Sequence, residues 1–186
     1  MHYVAFMRGV APSTPPRNNA NIVAALSTMG FSQVTPVLSS GNYVFATDPA
    51  DDGDLAARIE AVLLERLGVP VMTIVRRQDE VQALVDENPL AGVPHGPASY
   101  QLVTFFRHLV DIGFDLPYQP PGKSFKLVAC VDGALFTVAD NRPGQPGGSG
   151  HTIDLMAWLE KQYTKDLTSR TPPTLQKILK KMADLP

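Results

Sequence analysis

The sequence predicts an α+β fold made of two ferredoxin-like α/β plaits, each a four-stranded antiparallel sheet with helices on one face, the second of them decorated. Three observations lead to this prediction. In residues 1–76, short β-type runs alternate with helical apolar stripes in the order β-α-β-β-α-β. Gly-containing turns join neighbouring β-type runs as hairpins. The length of 186 residues leaves 77–186 for a C-terminal plait-like half, which we expect to pack against the first.

The N-terminal plait is predicted from four β-type runs with two amphipathic stretches between them. The first run is apolar on both faces, so it is predicted to be a central strand. The first helix is capped by Asn18 or Asn19, and the second starts at residues 51–54 and ends at Gly68. The turn at residues 39–42 carries Gly and Asn, which tolerate a positive φ, and it predicts a hairpin. The predicted strands are residues 3–7, 33–38, 43–46 and 69–75.

The C-terminal half has a less regular pattern. Asp132-Gly133 is its strongest hairpin signal, and the apolar start of the helix over 152–163 predicts deep packing. Residues 141–150 predict a flexible loop and lack the Gly-Lys-Ser/Thr ending of a phosphate-binding loop. The other predicted elements are a helix over 78–86, strands over 101–106, 125–131 and 134–139, and a last helix capped by Thr171. Three lysines near the C-terminus of that helix complement its dipole: Lys177, Lys180 and Lys181.

Composition argues against several classes of protein. The formal charge of −2 does not favour a phosphate-tracking surface, so no nucleic-acid partner is expected. The single cysteine, Cys130, excludes an internal disulfide, and its apolar run predicts a buried core residue rather than a reactive thiol. The absence of a leader pattern and of a bilayer-length apolar run predicts a cytoplasmic protein with no membrane partner. The histidines lack ligand spacing, so no metal or cofactor is predicted: His2, His95, His108 and His151.

A candidate ligand site is predicted at the end of the first strand. Arg8 and Gly9 directly follow that strand, at the end where open α/β sheets often hold ligands. The planar guanidinium of Arg8 matches a carboxylate or a phosphate. Ser40 and Asn42 can supply hydroxyl and amide donors, and Arg170 precedes a helix N-terminus, a favourable position for an anion. Together these five residues predict a small-anion site, and no catalytic residue is nominated.

Each candidate residue also has a structural interpretation. Arg8 can pair with an acidic residue or bind backbone carbonyls of a neighbouring loop. Ser40 and Asn42 can serve the hairpin geometry alone. Arg170 can form a salt bridge between the two halves.

Residues 3–10, which end in Arg8-Gly9-Val10, resemble the opening of an uncharacterised bacterial family catalogued as domain of unknown function 1697. Its members begin with an aliphatic-Leu-Arg-Gly-Ile-Asn-Val-Gly pattern, and their Gln-Ser-Gly-Asn-Val-Val-Phe segment is similar to residues 38–45. Further similar segments are residues 30–31, 88–90, 168–170 and 174–177. The resemblance covers essentially the whole chain and implies two α/β-plait halves and no established reaction. The chain departs from the family pattern at residues 11–14 and 171–173.

Two classes of function are compatible with these observations. The first is a small-anion-binding or regulatory module, with its site at the seam of the two plaits. The alternative is an enzyme of unassigned reaction that acts in the same cleft, although the sequence nominates no general base. RNA binding is less favoured, because no Lys/Arg-Gly-Phe-x-Phe strand is present. The sequence leaves the oligomeric state open.

Overall fold

The structure is a computed structural model that describes residues 1–10, 16–142 and 151–185, except for the side chain of residue 151. The whole divergent segment 11–14 and most of the Gly- and Pro-rich stretch 141–150, predicted as a flexible loop, therefore lie outside the described residues. The chain forms two compact units, a first unit of Met1–Ala83 with Pro173–Pro186 and a second unit of Leu84–Pro172. Compactness does not test independent folding, so the predicted domains 1–76 and 77–186 stay a prediction.

The elements alternate in the predicted manner. In chain order they are β1 (His2–Met7), α1 (Asn19–Ser27), β2 (Ser32–Pro36), β3 (Asn42–Ala46), α2 (Asp52–Leu67), β4 (Thr73–Arg77), α3 (Gln78–Glu87), β5 (Ser99–Phe106), β6 (Phe125–Val131), β7 (Ala134–Asp140), α4 (His151–Gln162), β8 (Leu167–Arg170) and α5 (Pro172–Ala183). The strands form two four-stranded antiparallel sheets, of order β2-β3-β1-β4 and β6-β7-β5-β8. The predicted α+β class is thereby confirmed, and so is the central position of the first strand.

The first sheet buries both of its faces. Tyr3, Ala5 and Met7 of β1 belong to one apolar cluster with the buried side of α1 and α2. The alternate β1 residues, Val4 and Phe6, point to the opposite face and are also fully buried. This two-sided burial is the physical reason for the uninterrupted apolar run at the start of the chain.

The helix ends of the first unit follow the predicted local chemistry. The Asn18 side chain caps α1 by accepting a hydrogen bond from the Asn21 backbone at 2.9 Å. Asp51 caps α2 in the same way, by accepting from two backbone N–H groups of the first turn. Gly68 ends α2 in the left-handed conformation, with φ of 69°.

Two strand boundaries differ from the prediction. β2 ends at Pro36 rather than at residue 38, because Leu38 adopts a left-handed φ of 61° as the chain turns into the hairpin. β4 begins only at Thr73, since Pro70 has no N–H for a ladder. The N–H of Thr73 donates instead to Oε1 of Glu60 at 2.7 Å.

The second unit repeats the strand order of the first, with a loop between its first two strands where the first unit has α1. Each sheet has the order second-third-first-fourth within its unit. The residues that follow the two first strands also match: Arg8 donates its backbone N–H to the carbonyl of Met72 at 3.0 Å, and Arg107 donates to that of Asp166 at 3.0 Å. No helix forms in residues 107–124, all of which the structure describes. Instead, apolar side chains of that loop pack against the core of the unit.

Two predictions about burial in the second unit were wrong. Cys130 is exposed, because β6 is an edge strand and Cys130 lies on its solvent side. The start of α4 is not buried on all sides, since the Ile153 side chain is 75% exposed while Leu155 and Leu159 are buried. The hairpin prediction at Asp132-Gly133 is confirmed, with φ of 46° and 74°, both positive as a tight two-residue turn requires.

Candidate functional site

The β2–β3 hairpin is tied to the end of β1 by a close backbone contact at Gly41. The N–H of Met7 donates to the carbonyl of Gly41 at 2.7 Å. Gly41 has φ of +75°, and a Cβ added there would lie 2.5 Å from the carbonyl oxygen of Met7. Only glycine fits such a position, so the Gly of the hairpin turn fixes residues 37–41 beside Arg8.

Two arginines lie at this end of β1. Arg8 is half-buried, and the next residue, Gly9, is exposed with φ of +74°. A Cβ added to Gly9 would lie 3.3 Å from Nη1 of Arg17, so the Arg17 guanidinium lies beside this glycine. Arg17 directly precedes Asn18, the N-cap of α1. The structure therefore brings a second guanidinium and a helix N-terminus, both suited to anions, to the predicted site.

The hairpin residues of the predicted site have different environments. Asn42 is buried, and its side-chain amide donates to the carbonyl of Val37 at 2.9 Å and to Oγ of Ser40 at 3.2 Å. Its amide hydrogens thus hold the loop in shape, in agreement with the structural interpretation. Ser40 is exposed and carries its hydroxyl at the surface of the hairpin.

Arg170 is the last residue of β8 and belongs to the second unit. It is only 8% exposed, and its Nη1 donates to Oγ1 of Thr168 at 2.6 Å and to the carbonyl of Ser169 at 2.8 Å. Burial lowers the pKa of the Arg170 guanidinium to about 10, so the group is still charged at neutral pH. Its convergence with Arg8 on one ligand stays a prediction.

Sequence reasoning missed Arg17, although a signal for it was present. In this plait α1 is the element that follows β1, so the helix is expected to begin at the end of the sheet where β1 ends. A cation directly before the Asn18 cap is therefore expected at the end of the sheet where β1 ends, and the Arg17 guanidinium does lie beside Gly9. The intervening residues 11–15 lie outside the described part of the chain.

A cluster of titratable side chains that the sequence did not reveal lies at the opposite end of the strands of the first sheet, near the start of β1. Arg77, which pairs with Tyr3 at the start of β1, lies 3.4 Å from Oε1 of Glu80 and 4.0 Å from Oδ2 of Asp52. Burial and the adjacent Glu80 raise the pKa of the Asp52 carboxyl to about 7, against the smaller opposing effects of Arg77 and Arg76. The pKa of the Asp52 carboxyl is thus near neutrality, but Asp52 lies near the start of β1, at the opposite end of the strand from Arg8.

Two kinds of feature are absent from the described residues. Within residues 1–10, 16–142 and 151–185, no three His, Cys, Asp or Glu side chains are grouped so that they could hold a metal ion. In the same part of the chain, none of the helices has the length and apolar character needed to cross a bilayer.

Comparisons with known proteins agree with this architecture. A family model described as "Protein of unknown function (DUF1697)" matches residues 1–112. The solved structure of the conserved bacterial protein SP0830 from Streptococcus pneumoniae is similar to the whole chain, with a TM-score of 0.72, 16% sequence identity and 98% of each chain covered. At that identity the likeness shows the fold alone. No curated protein matches the chain.

Proposed function

The chain belongs to the DUF1697 family of proteins of unknown function, and we propose that it is a small-anion-binding module whose site lies at the end of β1 in the first unit. The observation that carries this proposal is the Arg17 guanidinium beside the exposed Gly9, the residue that directly follows Arg8. Arginines at such a position are suited to a carboxylate or a phosphate, because each guanidinium presents a planar fork of N–H donors.

The surrounding backbone supports the same assignment. Gly9 carries no side chain, so an anion can approach the backbone closely at this point. The N-terminus of α1 adds the positive end of a helix dipole, and the exposed Ser40 hydroxyl adds a neutral donor from the hairpin. The Gly41 contact holds these groups on a rigid sheet edge, which lowers the entropy that binding must overcome.

Binding is favoured over catalysis by the position of the near-neutral carboxyl. A general base must lie within hydrogen-bond reach of the proton that it removes. Asp52, with its pKa raised to about 7, lies near the start of β1, at the opposite end of the strand from Arg8. An enzyme that acts beside Arg8 would therefore have to draw its base from elsewhere.

The proposal is tested by titrating the protein with inorganic phosphate and with sulfate at constant ionic strength, and by following backbone amide resonances. We expect the amides of Gly9 and Ser40 to shift in the wild type. Arg8→Ala should weaken binding by roughly 1.5–3 kcal/mol, the scale of a charge-assisted hydrogen bond. It should lower stability by at most about 1 kcal/mol, because Arg8 is partly exposed.

Arg58→Ala is the matched control, since Arg58 is an exposed arginine of α2 in the same unit. It should leave anion binding unchanged. If Arg8→Ala lowers the melting temperature strongly and leaves the anion response intact, Arg8 has only a structural role and the proposal fails.

A further inference from the structure

A cavity of about 290 Å³ lies between the β2–β3 hairpin and α5, within the first unit. One wall is formed by the hairpin residues Pro36, Val37 and Leu38. The other wall is formed by α5 and the residues that follow it: Lys177, Lys180, Lys181 and Asp184. We call this cavity the lysine pocket. It shares no lining residue with the site at Arg8 and Arg17.

The three lysines of the pocket lie on a single face of α5. Their spacing of i, i+3 and i+4 places them together, while the apolar residues Leu175, Ile178, Leu179 and Met182 are buried on another side of the helix. The helix dipole accounts for cations anywhere in a last turn. It does not account for three cations that converge on one concave wall, where they repel one another.

The pocket holds little negative charge of its own. Asp184 is the one acidic residue among the described residues that line it. Its Oδ2 lies 4.0 Å from Nζ of Lys181, and the two side chains are 60% and 43% exposed, so this ion pair is weak. Two of the three lysine charges therefore lack a carboxylate in the pocket wall, and an anion bound there would relieve their mutual repulsion.

The hairpin wall adds an apolar surface in a strained conformation. Leu38 is 47% exposed although its side chain is aliphatic, and its φ of 61° is one that branched residues rarely adopt. The loop holds it there through two hydrogen bonds: Asn19 donates to the carbonyl of Leu38 at 3.1 Å, and Val37 donates to that of Asn42 at 2.8 Å. Strain of this kind persists where the surrounding structure enforces it, and it is often found at ligand sites.

We propose that the lysine pocket is a second anion site, which binds the phosphate group of a small phosphorylated ligand and packs the apolar body of that ligand against Pro36 and Leu38. Lysine ammonium groups are compact point charges that bind phosphate without the planar geometry a carboxylate favours. The pocket volume of about 290 Å³ suits a small molecule rather than a polymer.

Phenyl phosphate is the probe, because it joins one phosphate to one apolar ring. Calorimetry at constant ionic strength compares it with inorganic phosphate on the full chain. We expect phenyl phosphate to bind more tightly than inorganic phosphate, and the triple variant Lys177→Gln/Lys180→Gln/Lys181→Gln to weaken its binding by about tenfold or more. The triple variant Arg58→Gln/Arg66→Gln/Lys161→Gln removes three exposed charges elsewhere and should change binding less than about twofold.

Melting curves without ligand show whether each variant folds. We expect the lysine variant to be at least as stable as the wild type, because it loses like-charge repulsion; if it does not fold, the single variant Lys180→Gln replaces it. Arg8→Ala separates this site from the proposed site at β1, because phenyl phosphate that binds beside Arg8 is lost in that variant; the binding that remains should still fall about tenfold when the three lysine substitutions are added to Arg8→Ala. Equal losses in the two triple variants, no preference for phenyl phosphate over phosphate in the Arg8→Ala background, or no further loss when the lysine substitutions are added to Arg8→Ala would each overturn the proposal.

Discussion

Arg76 and Arg170 occupy the same position in the two sheets. Arg76 pairs with Val4 on the first strand of its unit, and Arg170 pairs with Val103 on the first strand of the other. Nη1 of each donates to the carbonyl oxygen of the residue directly before it, at 2.7 and 2.8 Å respectively. Burial lowers the pKa of both guanidiniums. The internal repeat thus extends from strand order to a specific side-chain conformation.

The environment of Arg170 predicts how it responds to substitution. Arg170→Ala leaves a void and removes two hydrogen bonds, and we expect it to lower the free energy of unfolding by about 2–4 kcal/mol. Arg170→Met keeps most of the volume and removes a desolvated charge, so its cost should be about 1 kcal/mol or less. Urea unfolding of the two variants measures both values. Equal, large losses would show that the charge itself is required for folding.

Gly41 and Gly30 provide a matched pair for the close contact at the hairpin. Both have φ near +75°, at 75° and 76°, but a Cβ on Gly30 would meet nothing within 4 Å, whereas one on Gly41 would lie 2.5 Å from the Met7 carbonyl oxygen. Gly30→Ala should therefore cost about 1–2 kcal/mol, for the left-handed conformation alone. Gly41→Ala should cost about 3–5 kcal/mol because the hairpin must also move away from β1. Similar melting temperatures for the two variants would contradict the contact.

The raised pKa of Asp52 predicts a dependence of stability on pH. The pKa of about 7 keeps a proton on the folded Asp52 up to about pH 7, whereas the unfolded group loses it near its ordinary pKa of 3.8. The folded state therefore binds the extra proton between these values, and the contribution of Asp52 to stability falls as the pH rises through that window and levels off above it. Because one pKa unit corresponds to about 1.4 kcal/mol, we expect a loss of about 2–4 kcal/mol between about pH 4 and pH 8.

Asp52→Asn removes this titration and replaces the O–H of the protonated carboxyl with an amide N–H that can still donate to Glu80. The difference in unfolding free energy between wild type and variant should change with pH in the stated direction. A difference that is constant across the same range would show that Asp52 is ionised throughout, with an ordinary pKa.

Leu38 predicts a stabilising substitution at the lysine pocket. Glycine adopts a φ of 61° without the steric cost that a leucine Cβ carries, and the Leu38 side chain is 47% exposed, so little burial is lost. Leu38→Gly should raise the free energy of unfolding by about 0.5–1 kcal/mol. The greater conformational entropy of glycine in the unfolded chain opposes this gain and keeps it small. Thermal unfolding measures the change. Leu64→Gly is the control, since Leu64 is also exposed but lies inside α2, and this variant should be destabilised by about 1 kcal/mol. A loss of stability in both variants would mean that Leu38 packs more firmly than its exposure indicates.

The parts of the fold that sequence predicted were those with local causes. The Asn18 cap, the Gly68 end of α2 and the Asp132-Gly133 turn depend on the backbone chemistry of a few neighbouring residues. The end of β2 was misplaced because the conformation of Leu38 depends on two non-adjacent contacts: the Asn19 side chain, distant in sequence, donates to the Leu38 carbonyl, and Val37 donates across the hairpin to the carbonyl of Asn42.

The candidate site was predictable only in part for the same reason. That Arg8 follows β1 is local, so its position could be predicted. The burial of Arg170 depends on its register beside β5, and the exposure of Cys130 depends on β6 being an edge strand. The lysines of α5 fitted a dipole argument along the helix, but their convergence on the hairpin is a tertiary contact that spacing alone does not encode.

The loop over residues 107–124, which replaces a helix in the second unit, has a consequence for hydrogen exchange. In α1 successive amides are protected by bonds to carbonyls four residues back, such as Ile22 to Asn18 at 3.1 Å. Loop amides instead depend on scattered bonds, such as those exchanged by Tyr118 and Leu127 at 2.8 and 2.7 Å. Deuterium should therefore enter this segment by small local openings, well before the sheet beneath it exchanges. Phe114 and Tyr118 of the loop, which pack against the core of the second unit, should come away in a step separate from global unfolding.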